Sequence, residues 1–124
     1  MIEISSGLKK LIEDNAMALA TISADGFPHN IAVACCKVVD DKIVISNSHI
    51  YETIVNLSVN NHISLAVWHK DWEDVSVGFE IKGSAENFTE GKWLDFVKKL
   101  PENDGYDIKS AIVITVENIK KLLS

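Results

Sequence analysis

Residues 42–57 have the sequence KIVISNSHIYETIVNL. The opening residues are rich in β-branched side chains and predict a strand. A helix is predicted shortly after it, with Ile54 and Leu57 on its inward face. The start of a helix offers unpartnered backbone N–H groups and the positive end of the helix dipole, and both favour an anion such as phosphate. Because Thr53 and Asn56 would add side-chain donors, this stretch predicts an anion site between a strand and a helix.

The composition limits the classes of protein to which this chain can belong. Its 124 residues suffice for one domain with a buried core, and 47% of them are hydrophobic, too many for a disordered chain. The net charge of −6 argues against binding to nucleic acid or to anionic membranes. No apolar run reaches membrane-spanning length, and residues 1–6 lack the features of a secretory signal. We therefore expect one cytoplasmic domain over residues 1–124, with no nucleic-acid or membrane partner.

The choice of basic residues affects how a phosphate could be bound. All 12 of them are lysines. Arginine is the side chain whose planar guanidinium binds a phosphate through two parallel hydrogen bonds. In this chain, a phosphate would therefore depend on lysine side chains, backbone N–H groups and hydroxyls.

The cysteines and histidines do not form a recognisable reactive or metal-binding pattern. Cys35 and Cys36 are adjacent, and neighbours in a strand point to opposite faces, so a disulfide between them would be strained. We expect two small buried or half-buried thiols. No pair of the four histidines has the helical spacing of a metal site, so no metal is expected. His49, beside the predicted anion site, is a candidate ligand contact.

The hydrophobic pattern along the rest of the chain is typical of short strands and helices. Between residues 75 and 82, apolar side chains alternate with polar or small ones, which predicts a strand with one buried face. The predicted strands are residues 17–23, 29–39, 42–47, 63–67, 75–82 and 111–116, with turns at Asp25-Gly26 and Asp40-Asp41. The predicted helices are residues 6–15, 51–59 and 90–100, and a terminal helix containing Leu122 and Leu123. Together they favour a small, mostly antiparallel barrel with peripheral helices.

Several segments resemble, in the same order, those of one protein family. They are MALATI at residues 17–22, DGFPH at 25–29, CKVVDDKIVI at 36–45, NLSVNNHISL at 56–65 and FEIKGSA at 79–85. Their order is similar to that of the FMN-binding split-barrel family, also called pyridoxamine 5'-phosphate oxidase-like. The resemblance implies a mostly β fold: a six-stranded antiparallel split β-barrel with short peripheral helices. It also implies a homodimer with FMN bound between the subunits and a role in flavin-dependent oxidoreduction or electron transfer.

The resemblance also implies where the flavin binds. The strand near residues 30–34 and the turn at residues 46–53 would hold it, and the partner subunit would complete the ring pocket. Small side chains at Ala32 and Ala34 would let a flat ring approach the backbone, although they also suit a barrel interior. The candidate cofactor-binding residues are Asn30, Ile31, Ala32, Val33, Lys37, Ser46, Asn47, Ser48, His49, Glu52, Thr53 and Asn56. No catalytic residue is named, because the flavin itself would carry the redox chemistry.

Position 52 departs from the family pattern. Many members have Lys-Thr-x-x-Asn-Leu there, and that lysine contacts the flavin phosphate, whereas this chain has Glu52. A carboxylate beside a phosphate would replace attraction by repulsion. Glu52 could point to solvent, FMN could bind weakly, or the site could take another ligand. Two alternatives to a flavin enzyme therefore stay open: a non-enzymatic binding module that has lost tight FMN binding, and a purely structural dimer.

Overall fold

The strands of the protein form one antiparallel sheet. The computed structural model describes residues 2–123. The elements in chain order are α1 (Ser6–Asp14), β1 (Met17–Ile22), β2 (Pro28–Val33), β3 (Lys37–Val39), β4 (Lys42–Asn47), α2 (Glu52–Val59), β5 (His62–Trp68), β6 (Gly78–Phe88), α3 (Lys92–Lys98), a 3₁₀ turn (Pro101–Asn103) and β7 (Ser110–Leu123). The strand order is β2-β1-β5-β6-β7-β4-β3, so β2 and β3 are the two edges of the sheet. The predicted antiparallel, mostly β split barrel with short helices is confirmed.

The sheet has seven strands where six were predicted. The long strand expected over residues 29–39 is divided into β2 and β3. Cys35, between them, has a φ of 58°, a left-handed conformation that interrupts the pleat. The turn expected at Asp40-Asp41 is confirmed: both residues have positive φ, at 51° and 60°, as a two-residue type I′ hairpin requires.

The last two strands, β6 and β7, are both longer than expected, and they pair with each other along their lengths. β6 begins at Gly78, three residues later than predicted, and continues to Phe88. The terminal helix predicted around Leu122 is wrong, because β7 continues as a strand and its end pairs with the start of β6, where Phe79 lies opposite Lys121. These long-range backbone hydrogen bonds outweigh the local preference of a short polar segment for a helix. A register shift between Lys82 and Gly83 bends the pair.

Two hydrophobic clusters occupy the two sides of β4 and β7. The main cluster contains the inward residues of most strands and the apolar face of α1. Ser5 caps this helix by accepting a hydrogen bond from Leu8 N at 3.2 Å. The smaller cluster lies under α3, where Leu94 and Val97 pack against the outer residues Val44 and Val113. Because β4 is buried on both sides, the turn that follows it starts from a rigid support.

The helices of this fold are short. The longest, α1, has nine residues. Within residues 2–123, none combines the length and the hydropathy needed to cross a membrane.

Candidate functional site

A pocket of about 440 Å³ lies where the edge strand β2 meets the turn between β4 and α2. Its lining residues are His29, Ile31, Ala32, His49, Ile50, Tyr51, Glu52 and Thr53. The fold thus brings together the two segments that the sequence predicted as one site, residues 30–34 and residues 46–53. Of the predicted residues, those lining the pocket are Ile31, Ala32, His49, Glu52 and Thr53.

The β2 side of the pocket is an exposed strand edge. Within residues 2–123, β2 pairs with β1 alone, so the backbone groups along its other side take no part in the sheet. Ile31 packs against the core, while Ala32 is exposed and adds little bulk beside the edge. A free strand edge of this kind offers backbone donors and acceptors to a flat ring with polar margins.

The α2 side of the pocket is the start of a helix that lacks a side-chain cap. Tyr51 occupies the N-cap position and makes no capping hydrogen bond. Thr53 is fully buried, and its Oγ1 has no hydrogen-bond partner among the residues described. A buried hydroxyl without a partner is costly, and an oxygen atom of a bound anion would satisfy it. The start of α2 therefore has a hydroxyl without a partner and lacks a side-chain cap, which are features of an anion site.

Asn47 fixes the turn that forms this pocket. Its Oδ1 accepts a hydrogen bond from Ile50 N at 2.6 Å, and its Nδ2 donates to Ser110 Oγ at 2.8 Å. Asn47 is buried, so both bonds form away from water. Asn47 therefore holds the turn in place through these two hydrogen bonds, and it does not line the pocket.

Other predicted residues also use their side chains within the protein. Asn56 Nδ2 donates to the buried Thr21 Oγ1 at 2.9 Å, which ties α2 to β1. Ser46 Oγ accepts a hydrogen bond from Asn103 Nδ2 at 2.9 Å. Lys37 Nζ lies 2.9 Å from Glu102 Oε2, and this hydrogen bond holds the pKa of Glu102 below its ordinary value. None of these side chains lines the pocket.

The last three predicted residues lie around the pocket. Val33 is buried in the main cluster, and Asn30 is exposed on the other face of β2. Ser48 Oγ lies 2.9 Å from His49 Nδ1 in the turn. The serine can therefore orient the imidazole of His49 at the pocket rim.

Ile50 and Tyr51 line the pocket and lie within the predicted turn, although they were not among the candidate residues. His29 also lines the pocket, and it lies outside both predicted segments. Its Nδ1 lies 3.3 Å from Glu52 Oε2. The side chain of Glu52 is 73% exposed, yet it lies at the pocket. Strand alternation could have revealed His29, because it lies on the same face of β2 as Ile31. None of the described residues that line the pocket is a lysine.

A second pocket, of about 950 Å³, lies between α1 and the start of β6. Its floor is apolar and includes Leu8, Leu11, Phe79 and Ile119. Within residues 2–123, the buried side-chain atoms that lack a partner do not belong to its lining. This pocket is larger and is also lined by Lys10 and Lys70, but Lys10 is already paired with Asp14 at 2.9 Å. The buried hydroxyl without a partner, that of Thr53, lies instead at the pocket of β2 and α2, so we place the candidate site there.

Within the part of the chain that the structure describes, no group of three or more His, Cys, Asp or Glu residues is arranged to hold a metal ion.

The two cysteines differ in environment. Cys36 is fully buried, as expected, whereas Cys35 is exposed, contrary to expectation, because the break between β2 and β3 turns it outward. Burial, together with the neighbouring Cys35, raises the pKa of Cys36 to about 12.

We expect maleimide to label the native protein once, at Cys35, and the denatured protein twice, as mass spectrometry would measure. Labelling of a native Cys35→Ser variant would contradict the burial of Cys36.

Comparison with known proteins agrees with the fold. The family model described as pyridoxamine 5'-phosphate oxidase matches residues 6–122. The uncharacterized protein MJ0282 of Methanocaldococcus jannaschii is 26% identical over 130 residues, which cover 100% of this chain and 84% of that protein. The crystal structure of HupZ from Group A Streptococcus is 26% identical with a TM-score of 0.88, and the match covers 98% of this chain and 96% of that one.

More distant structures share the fold. An FMN-binding protein from Syntrophomonas wolfei is 18% identical with a TM-score of 0.79, covering 92% of this chain and 82% of that one. An F420 reductase and HutZ, a heme storage protein from Vibrio cholerae, are each 16% identical, with TM-scores of 0.71 and 0.69. With a family model that matches nearly its whole length, this chain belongs to the pyridoxamine 5'-phosphate oxidase family.

Proposed function

We propose that this protein binds FMN, with the phosphate at the start of α2 and the ring against the free edge of β2. The observation that carries the proposal is the buried Thr53 hydroxyl, which has no partner in the described chain and lies at an uncapped helix start. Thr53 and the first N–H groups of α2 would hold the phosphate, and Ile31 and Ala32 would lie beside the ring. When bound, FMN would supply hydride or electron transfer, so flavin-dependent oxidoreduction or electron transfer is the proposed activity.

The hydroxyl of Thr53 gives a direct test. We expect Thr53→Val to weaken FMN binding about tenfold or more, since a hydrogen bond to a charged group contributes about 1.5–3 kcal/mol. Thr53→Ser keeps the hydroxyl and should bind nearly as well as the wild type. The measurement is quenching of flavin fluorescence. Riboflavin, which has no phosphate, is the control ligand, and it should not distinguish the variants. Equal FMN affinity for the valine and serine variants would exclude Thr53 as a phosphate contact.

We further propose that two copies of the chain form a homodimer that covers this pocket. Tyr51, Val55 and Val59 follow one another at helical spacing and are 75%, 45% and 64% exposed. This apolar stripe begins at the pocket, and exposed stripes of this kind commonly mark contact surfaces. A second copy lying against it would exclude water from the ligand.

Light scattering tests the dimer. We expect a dimer for the wild type and a shift to monomer for Val59→Glu, because an exposed apolar contact is replaced by a charge. Glu73→Gln, at an exposed position of the loop between β5 and β6, is the control and should remain dimeric. A monomeric wild-type protein would exclude the dimer.

A second candidate function is a binding module without redox activity. It is favoured by Glu52, whose carboxylate lies at the pocket where the family lysine would bind phosphate. The visible absorbance of the purified protein, before and after addition of FMN and desalting, separates the two candidates. A retained flavin band supports the flavoprotein, whereas a folded protein without flavin supports the module.

A further inference from the structure

We propose that His29 binds the phosphate of the ligand, and that its contact with Glu52 makes this binding require a protonated imidazole. The inference rests on the proposed function, because it requires a phosphate in the pocket of β2 and α2. It adds a binding residue outside the family motif and a reason for the glutamate at position 52.

The fold places His29 against the first turn of α2. His29 lies opposite Thr21 in the β1–β2 pair, and Thr21 is bonded to Asn56 of α2. This link sets the distance between β2 and the helix, and it brings His29 Nδ1 to 3.3 Å from Glu52 Oε2. Both residues line the pocket together with the buried Thr53 hydroxyl.

The pairing with Glu52 determines how the imidazole of His29 can act. A neutral imidazole has one nitrogen that donates and one that accepts, whereas an ionised carboxylate only accepts. With its hydrogen on Nδ1, a neutral His29 would donate toward Glu52 and present a lone pair at Nε2. That lone pair would repel phosphate oxygens. A proton added to Nε2 creates a second donor and a positive charge, so His29 could then donate to Glu52 and to the phosphate at once.

The other groups around His29 do not supply the positive charge that a protonated imidazole would carry. The titratable residues that share the pocket are Glu52 of α2, and His49 and Tyr51 of the preceding turn. Thr21, which faces His29 from β1, does not titrate. A lysine at position 52 would keep its charge across the physiological range, whereas an imidazole ordinarily changes charge between about pH 5 and pH 8. We therefore expect phosphate binding to weaken as the pH rises through this range.

The test is the FMN affinity of the full-length protein, measured by flavin fluorescence between about pH 5.5 and pH 8.5. The variants are His29→Gln, which donates at every pH but does not titrate, and Glu52→Gln, which removes the carboxylate at a largely exposed side chain. The phosphate of FMN itself ionises near pH 6, roughly as a phosphoserine does, and this effect is common to all the proteins. The difference between wild type and His29→Gln thus isolates the imidazole.

We expect the wild-type affinity to fall about tenfold more than that of His29→Gln across this range, as the loss of one charge-assisted hydrogen bond implies. Glu52→Gln should bind FMN more tightly at neutral pH and with a smaller pH dependence. Riboflavin binding should be the same in all three proteins.

Two results would overturn the inference. If wild type and His29→Gln bind FMN with the same pH profile, His29 is not the phosphate ligand, and the proposed function stands without it. If none of the proteins binds FMN at any pH, including Glu52→Gln, the proposed function and the inference both fail.

Discussion

Replacing Gly83 by alanine should destabilise the protein by about 3 kcal/mol or more, the range of severe overpacking, or prevent folding altogether. Gly83 lies at the register shift of β6, where the backbone of β7 passes unusually close. A Cβ at this position would overlap the carbonyl oxygen of Thr115, and it would lie 3.1 Å from the carbonyl carbon of Thr115 and 3.3 Å from Val116 Cα. These are backbone atoms of a central strand, so the clash cannot be relieved by rotating a side chain.

Urea denaturation followed by circular dichroism measures this effect. Gly7→Ala in α1 is the matched control, because an added Cβ there meets no atom within 4 Å. In a helix, this change should stabilise the protein by up to about 1 kcal/mol. If Gly83→Ala unfolds at the same urea concentration as the wild type, the close approach of β6 and β7 at this position is refuted.

Replacing Glu52 by lysine should tighten FMN binding about 10- to 100-fold. Opposite unit charges about 4 Å apart near a protein surface attract by about 4 kcal/mol, and exposure to solvent reduces this value. The side chain of Glu52 is 73% exposed, so we expect only part of the attraction to appear as affinity. The substitution removes a repulsion and restores the cation that the family motif has at this position.

Glu73→Lys is the control for Glu52→Lys, because it changes the net charge by the same amount. Glu73 is exposed in the loop between β5 and β6 and is not part of the pocket lining. Fluorescence titration with FMN should therefore show the gain in the Glu52 variant alone. The gain should disappear with riboflavin, which has no phosphate. A Glu52→Lys protein with wild-type affinity would mean that the phosphate binds away from the start of α2.

The candidate site was predicted in part from the sequence. A β-branched run followed by a helix start gave the location, and the fold places residues from both predicted segments around one pocket. The sequence could not distinguish pocket-lining side chains from supporting ones. Asn47 and Asn56 have the right chemistry for a phosphate, but Ser110 and Thr21 accept their amide donors. Such partners are distant along the chain and come together only in the folded protein.

The sequence by itself determined the local elements, because their signals are local. Alternating apolar residues specify strands, Ser5 caps the first helix, and Asp40-Asp41 forms a tight hairpin. Only the tertiary structure decided the break at Cys35, the extension of β7 in place of a helix, and the pairing of His29 with Glu52. Each of these depends on strand pairing or on contacts between distant residues, whose energies exceed local preference and leave no periodic trace in the sequence.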